Sequence, residues 1–333
     1  MKTTHLLLSI PLALLVVSGC TSDELLEKSQ INEKGEYAVR FSGNMDMTLT
    51  KANTTDVATG VKATISAYTK DDDVTSNTAI VSNGYTVGQT AGTFEGDADF
   101  VMYLPKGNYD FYAVSTNSAT AAPTFTSGVS GDLENGVDYI YAKTASQSVG
   151  NGEKNIALEF SRKAVQIYID IKSDEAGLEL TSWQSGDNAA TITPPVVTGC
   201  TMALTDGTIT AANSVDTELS NGFYKGNMTQ GSIASKNTTA SYIMLPVETG
   251  KTLKVQFKVN VKIGDRTAEA KTYTADLTAP SQDPGASTAF LSGKKYTYTA
   301  TLKANKITFT GATVADWTTV NTTDDLNPTE PAS

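Results

Sequence analysis

Few side chains in this chain of 333 residues can do chemistry, and their spacing argues against most of it. The single histidine is His5, inside a leader expected to be removed. Without imidazole, Ser-His-Asp and Cys-His nucleophilic catalysis are excluded from the mature chain, as is every histidine-ligated metal site. Asp71-Asp72-Asp73 sets three carboxylates side by side. A calcium loop needs ligands on alternate positions, a glycine at the sixth and a glutamate at the twelfth, and none of these follows. A solvated turn is the expectation there. Two carboxylates can hydrolyse a glycoside without histidine, but Asp and Glu here fall in turns and no pair stands out. No catalytic residue, metal ligand or cofactor is expected, and the chain does not read as an enzyme.

Two covalent events are legible. The first concerns Cys20. Lys2, an apolar run over 6–17 broken by Pro11, and small residues before the cysteine make a secretory signal too short to span a membrane. Val17-Ser18-Gly19-Cys20 resembles the bacterial lipobox, in which the chain is cut between Gly19 and Cys20 and the thiol is acylated. Several acyl chains anchor firmly where one is marginal. No aspartate directly follows Cys20. That resembles outer-membrane sorting, and the acidic residues Asp23 and Glu24 are similar to the surface-export signal of Bacteroidetes lipoproteins. The expectation is an outer-membrane, surface-exposed, lipid-anchored protein. With Cys20 consumed, Cys200 has no disulfide partner and reads as a small buried apolar residue. The second event concerns Lys51-Ala52, in a polar run over 50–60 where a trypsin-like protease could cut.

Between these two points lies the stretch that must be positioned. From 37 to 49 the apolar residues keep one parity: Tyr37, Val39, Phe41, Met45, Met47 and Leu49, with Gly43 among them. The period of two predicts one strand of about thirteen residues with one buried face, long against the usual five or six. Downstream, Val61, Ala63, Ile65 and Ala67 alternate in the same way. The run 100–104 ends at Pro105, and Lys106-Gly107-Asn108 predicts a hairpin turn, with Gly107 at positive φ, into a strand over 109–114. That strand is apolar or aromatic on both faces and so should be central. Further strands are expected at 139–142 and 156–160. A second set opens at Val165, Ile167, Ile169 and Ile171. It continues through 253–263, where Lys254, Lys258 and Lys262 line the opposite face as a solvated row or a guarded sheet edge. It ends with 295–303, 306–309 and Val314-Ala315-Asp316-Trp317. Trp317 is expected to fill the end of a packed layer. Leu-Pro-turn-Gly-strand occurs twice, at Leu104-Pro105 and Leu245-Pro246, and suggests two similarly built units.

Composition agrees. Charged residues are only 18% against 39% hydrophobic, and Thr, Ser, Asn and Gly fill much of the rest, favouring strands and turns. The net charge of −11 repels phosphate backbones, so no nucleic-acid partner is expected. The predicted class is all-β, divided as 1–19 signal peptide, 20–51 tether and first strand, 52–161 first domain, 162–320 second domain and 321–333 tail.

Taken together, these residues resemble the Bacteroidetes fimbrillin family, the type V pilins and their lipoprotein relatives. The carriers are the lipobox, the strand at 37–41, the Lys51-Ala52 step, the Leu-Pro-Lys-Gly-Asn-Tyr run at 104–109, Arg162-Lys163-Ala164 and the 293–317 pattern. The resemblance implies two tandem transthyretin-like β-sandwich domains. It also implies a mechanism: a protease cuts after Lys51, the first strand is lost, and a C-terminal strand of another subunit fills the groove. Candidates for the donated strand are 306–309 and 318–323. The family pattern would carry Arg where this chain has Lys51, and the nearby Arg40 lies within the strand. The implied function is a pilus subunit serving adhesion. Its implied partners are like or unlike subunits, the outer membrane through lipid, and a host or bacterial surface ligand. The alternative is a non-polymerising glycan-binding surface lipoprotein or a pilus anchor. Trp183 and the tyrosines would supply the sugar-stacking surface.

Overall fold

The computed structural model describes residues 30–45, 55–173, 177–221, 223–226, 229–230, 236–280, 289–304 and 306–317. Gly19, Cys20, Met47, Leu49, Lys51, Ala52 and the 318–323 segment lie outside them. The fold is all-β. The first half carries β1 (Tyr37–Met45), β2 (Thr55–Asp56), β3 (Lys62–Thr69), β4 (Val81–Val87), β5 (Thr93–Gly96), β6 (Met102–Leu104) and β7 (Gly107–Ser115). It continues with β8 (Phe125–Thr126), β9 (Val129–Ser130), β10 (Ile140–Val149) and β11 (Lys154–Arg162). The second half carries β12 (Val165–Ser173), β13 (Leu178–Trp183), β14 (Ala190–Ile192), β15 (Ser220–Asn221), β16 (Tyr224–Lys225) and β17 (Thr229–Gln230). It ends with β18 (Lys236–Met244), β19 (Thr252–Ile263), β20 (Glu269–Thr278), β21 (Lys294–Lys303) and β22 (Lys306–Asp316).

The first sheet runs β11-β10-β7-β3-β4-β5-β1-β2, and β1 also pairs with β11, so the sheet closes on itself as a partial barrel. Alternation puts Val39, Phe41, Ala63, Ile65, Phe111 and Phe160 inside it, all buried. The second half instead has two separate sheets, β16-β18-β12-β21-β22 and β13-β19-β14-β15 with β20 beside β19. Their inner faces enclose a core of Val165, Ile167, Ile169, Leu253, Val255 and Phe257 among others.

A third apolar cluster joins the halves. Tyr68, Tyr112, Val114 and Tyr141 on the outer face of the first sheet pack against Cys200, Met202, Leu204, Ile209 and Leu245. This is why β7 is apolar on both faces: Tyr109, Phe111 and Ala113 serve the barrel, Tyr112 and Val114 the third cluster. Cys200 is buried there as expected, its Sγ 3.4 Å from the Val196 carbonyl, and burial pushes its thiol up. The junction between β11 and β12 is only Lys163-Ala164. Arg162 Nε donates to Asp138 Oδ2 at 2.9 Å with both side chains buried, Asn117 Nδ2 donates to the same oxygen at 2.8 Å, and the guanidinium lies 4.6 Å from the Trp317 ring centre. Trp317 is buried with Ala164 and Ile243 in a small cluster at this junction.

Two expectations are corrected. The run at 104–109 is not a hairpin: β6 pairs with β1, whereas β7 pairs with β3 and β10, so Pro105-Lys106 is a corner between distant places in the sheet. Gly107 has no positive φ. A Cβ there would sit 3.0 Å from the Tyr109 hydroxyl, which reaches back to the Pro105 carbonyl at 2.9 Å, so the glycine makes room for that bond. Of the two readings of the lysine row of β19, the solvated face holds and the guarded edge does not, because β19 has β13 and β14 on one side and β20 on the other. Lys254, Lys258 and Lys262 are simply the wet face of a central strand, and Lys262 approaches Glu179 at 3.9 Å.

Candidate functional site

The site is the seat of β1. A turn prepares it: the Asn32 Oδ1 accepts the backbone N–H groups of Lys34 and Glu36, each at 3.0 Å, and Gly35 takes φ 76°. The strand then runs nine residues, and alternation aims Tyr37, Val39, Phe41 and Met45 inward. Residues 46–49 of the expected thirteen, Met47 and Leu49 among them, lie outside the described residues.

Both edges of β1 are used. On one side it runs parallel to β11 through seven register pairs, from Val39 with Lys154 to Met45 with Phe160. On the other it is antiparallel to β6, β5 and β2 in turn, at Tyr37 with Leu104, Phe41 with Phe94, and Met45 with Thr55. Arg40 is held within this ladder opposite Asn155. Its side chain lies outside, 54% exposed, with Nε 2.8 Å from Glu153 Oε2.

Aromatic rings form the floor. Phe41 is 1% exposed and meets Tyr85 and Phe111 edge-on at 5.2 and 5.6 Å. Burial raises the Tyr85 phenol well above its ordinary value, and its hydroxyl has no hydrogen-bond partner among the described residues. Burial, with Glu36 nearby, also raises Tyr109. Phe94 and Phe160 close the seat under Gly43: a Cβ at that position would lie 2.5 Å from Phe94 and 3.1 Å from Phe160. A side chain there would force the Phe94 ring to shift, so this register favours glycine. The inward parity was legible in sequence, but the need for Gly43 was not read. Its signal was one residue without a side chain inside an otherwise bulky inward set.

The remaining flagged residues do not join the site. Trp183 is half-buried against Phe257 and donates Nε1–H to the Gly226 carbonyl at 3.1 Å, so its ring is engaged in packing. Asp73 accepts from the hydroxyls of Thr75 and Ser76 at 2.7 and 2.9 Å, and the Thr75 bonds hold its carboxyl below the usual range. The carboxylate organises its own turn.

A barrel closed by its first strand is the setting for the comparisons. The sequence pattern described as fimbrillin-like matches residues 50–317, and the chain belongs to that family. The match starts after β1. The protein is accordingly of the fimbrial type. No curated protein matches the sequence. Among solved structures, a putative cell adhesion protein of Bacteroides uniformis is 19% identical, covering 86% of this chain and 100% of its own, with TM-score 0.54. One from Bacteroides ovatus is 16% identical, covering 86% and 99%, also at 0.54. The tip fimbrial protein Mfa3 of Porphyromonas gingivalis is more distant, 10% identical over 84% and 100%, with TM-score 0.43.

Proposed function

We propose that this protein is a subunit of a surface fibre that serves adhesion, and that β1 is removed and replaced by β22 of a neighbouring subunit. The observation that carries the reading is a match between the two strands. Val39-Arg40-Phe41-Ser42-Gly43 in β1 is paralleled by Ile307-Thr308-Phe309-Thr310-Gly311 in β22. A β-branched aliphatic, a phenylalanine, a hydroxyl residue and a glycine recur at the same spacing. These are the features the seat selects, above all the glycine. β22 ends its sheet, with β21 as its one paired neighbour among the described residues, so its other edge is open to pairing. Of the two donor candidates, this match favours the one at 306–309.

Exchanging one strand for a similar one changes buried area little, so the cut must supply the drive. While covalently joined, β1 occupies its seat at a high effective concentration. Cleavage between Lys51 and Ala52 makes it a dissociable peptide, and the Cys20 lipid leaves with it. Its apolar burial, a few hundred Å² at about 25 cal/mol per Å², is worth on the order of 10 kcal/mol as an upper bound. The cut strand therefore stays until another displaces it. We further read the two halves, 52–161 and 162–320, as domains of the transthyretin-like type, and the fibre at the outer membrane as their location.

The test is limited trypsin treatment of the mature chain, followed by N-terminal sequencing and size-exclusion chromatography. The expected product begins at Ala52 and forms oligomers. Gly311→Val is expected to be cut at the same bond yet to remain monomeric, with unchanged melting. An intact chain, a cut chain that never oligomerises, or a Gly311→Val variant that assembles like wild type would each overturn the reading.

A further inference from the structure

We propose that a cavity on the outer face of the first sheet binds an uncharged saccharide. It lies over β3 and β4, away from the β1 seat, and is independent of strand exchange. Its volume is about 420 Å³, within the range of small-molecule sites and roomy enough for a mono- or disaccharide. Thr64, Ser66 and Tyr68 of β3 form the floor. The walls are the 74–79 loop and the hairpin from Pro123 to Gly128, with Leu204 of the second half at the back. The Gly128 carbonyl accepts the Leu204 N–H at 2.7 Å, which pins the hairpin in place.

Three properties of the lining define the ligand. No Asp, Glu, Lys, Arg or His is among the lining residues, so nothing there rewards a charged ligand. Hydroxyl groups dominate, and part of them are free to bond a ligand. Ser66 and Ser82 bond each other at 2.8 Å, and Thr75 and Ser76 are taken up by Asp73. The side chains of Thr64, Tyr68, Thr78, Thr124 and Ser127 make no hydrogen bond among the described residues, and a sugar's hydroxyls can both donate to and accept from them. Finally, two aromatic rings line the cavity. Tyr68 is 7% exposed, fixed edge-on against Tyr112 at 5.4 Å, and Phe125 is half-buried in the hairpin. Rings of this kind offer a flat apolar face to the C–H side of a pyranose, while the Tyr68 hydroxyl can serve its rim. A purely apolar ligand would leave these hydroxyls unpaired, and an ionic one would lose its hydration without compensation.

The experiment uses the whole mature protein. An array of neutral oligosaccharides, with sialylated and sulfated counterparts, is followed by saturation-transfer NMR with methyl glycosides of the hexoses that score. Binding of neutral glycans is expected, with the acidic counterparts absent. Tyr68→Phe keeps the ring and removes the hydroxyl, and is expected to weaken binding about fivefold, the worth of one neutral hydrogen bond. Thr78→Arg, on an exposed rim position, blocks the cavity and is expected to abolish binding with unchanged melting. The proposal is overturned by no neutral ligand at millimolar concentration, by equal binding of acidic glycans, or by full binding in Thr78→Arg.

Discussion

The two halves begin alike and finish differently. Each opens with a strand that lies parallel to a late strand of the same half, β1 beside β11 and β12 beside β21. In the first half the opening strand is also flanked by β6, β5 and β2, and the sheet returns on itself. In the second half two sheets face each other, and β20 and β22 remain at their margins. Closure removes the sheet's free edges but makes the first half depend on one strand at its start. The open arrangement leaves β20 and β22 with one paired neighbour each among the described residues. Under the reading above, one half is built to receive and the other to give.

The largest test of that contrast is a matched pair of substitutions. Phe41→Ala empties the centre of the barrel and is expected to cost about 3–5 kcal/mol in urea unfolding. Phe309→Ala removes a half-buried ring that meets Tyr298 edge-on at 6.0 Å, and should cost only about 1–2 kcal/mol. Equal losses would mean that β22 is as fixed as β1. Next comes the junction. Asp138→Ala leaves the Arg162 guanidinium buried without its carboxylate and takes an acceptor from Asn117. A loss of about 3 kcal/mol is expected, and a calorimetric scan should show whether the halves still melt together.

The smallest effects separate two buried phenols. Tyr141 donates to the Leu204 carbonyl at 2.8 Å across the halves, so Tyr141→Phe should cost about 1 kcal/mol. Tyr85 has no partner among the described residues, so Tyr85→Phe should be neutral or stabilising by about 1 kcal/mol. Both phenols, with Tyr242 and Tyr298 in the second half, are raised by burial, Tyr242 to about 12. The neutral form is favoured when folded. Its contribution is therefore complete below the ordinary value of 10.0 and is lost as pH climbs through the raised values. Urea midpoints should fall from pH 10 upward, less steeply in Tyr85→Phe.

What could be read in advance was what period two encodes directly. The inward residues of β1, β3, β19 and β21 follow from alternation, and the two-sided apolar character of β7 gave its central place. Partners were harder. Leu104-Pro105-Lys106-Gly107 has hairpin chemistry, but β6 pairs with β1 instead, a contact that no local pattern carries. The parallel partner of β1 is more than a hundred residues away. The third cluster was missed because Cys200, Met202, Leu204 and Ile209 come from short segments between turns, too brief to show a period. Trp317 was legible as a packing residue, but its stack on Arg162 depends on a residue at the far end of β11.

The parallel pairings have a mechanical consequence. A strand seated beside β11 is tethered at its N-terminal end, whereas β11 leads out at its C-terminal end through Lys163-Ala164 into β12. In the fibre proposed above, tension would therefore pull the pair from opposite ends. The bonds between them are loaded in shear, all together, and not peeled one by one. The same geometry repeats at once between β12 and β21, whose eight register pairs pass the load on toward β22. Two lap joints in series, with two residues between them, make a link that resists extension far better than it resists bending.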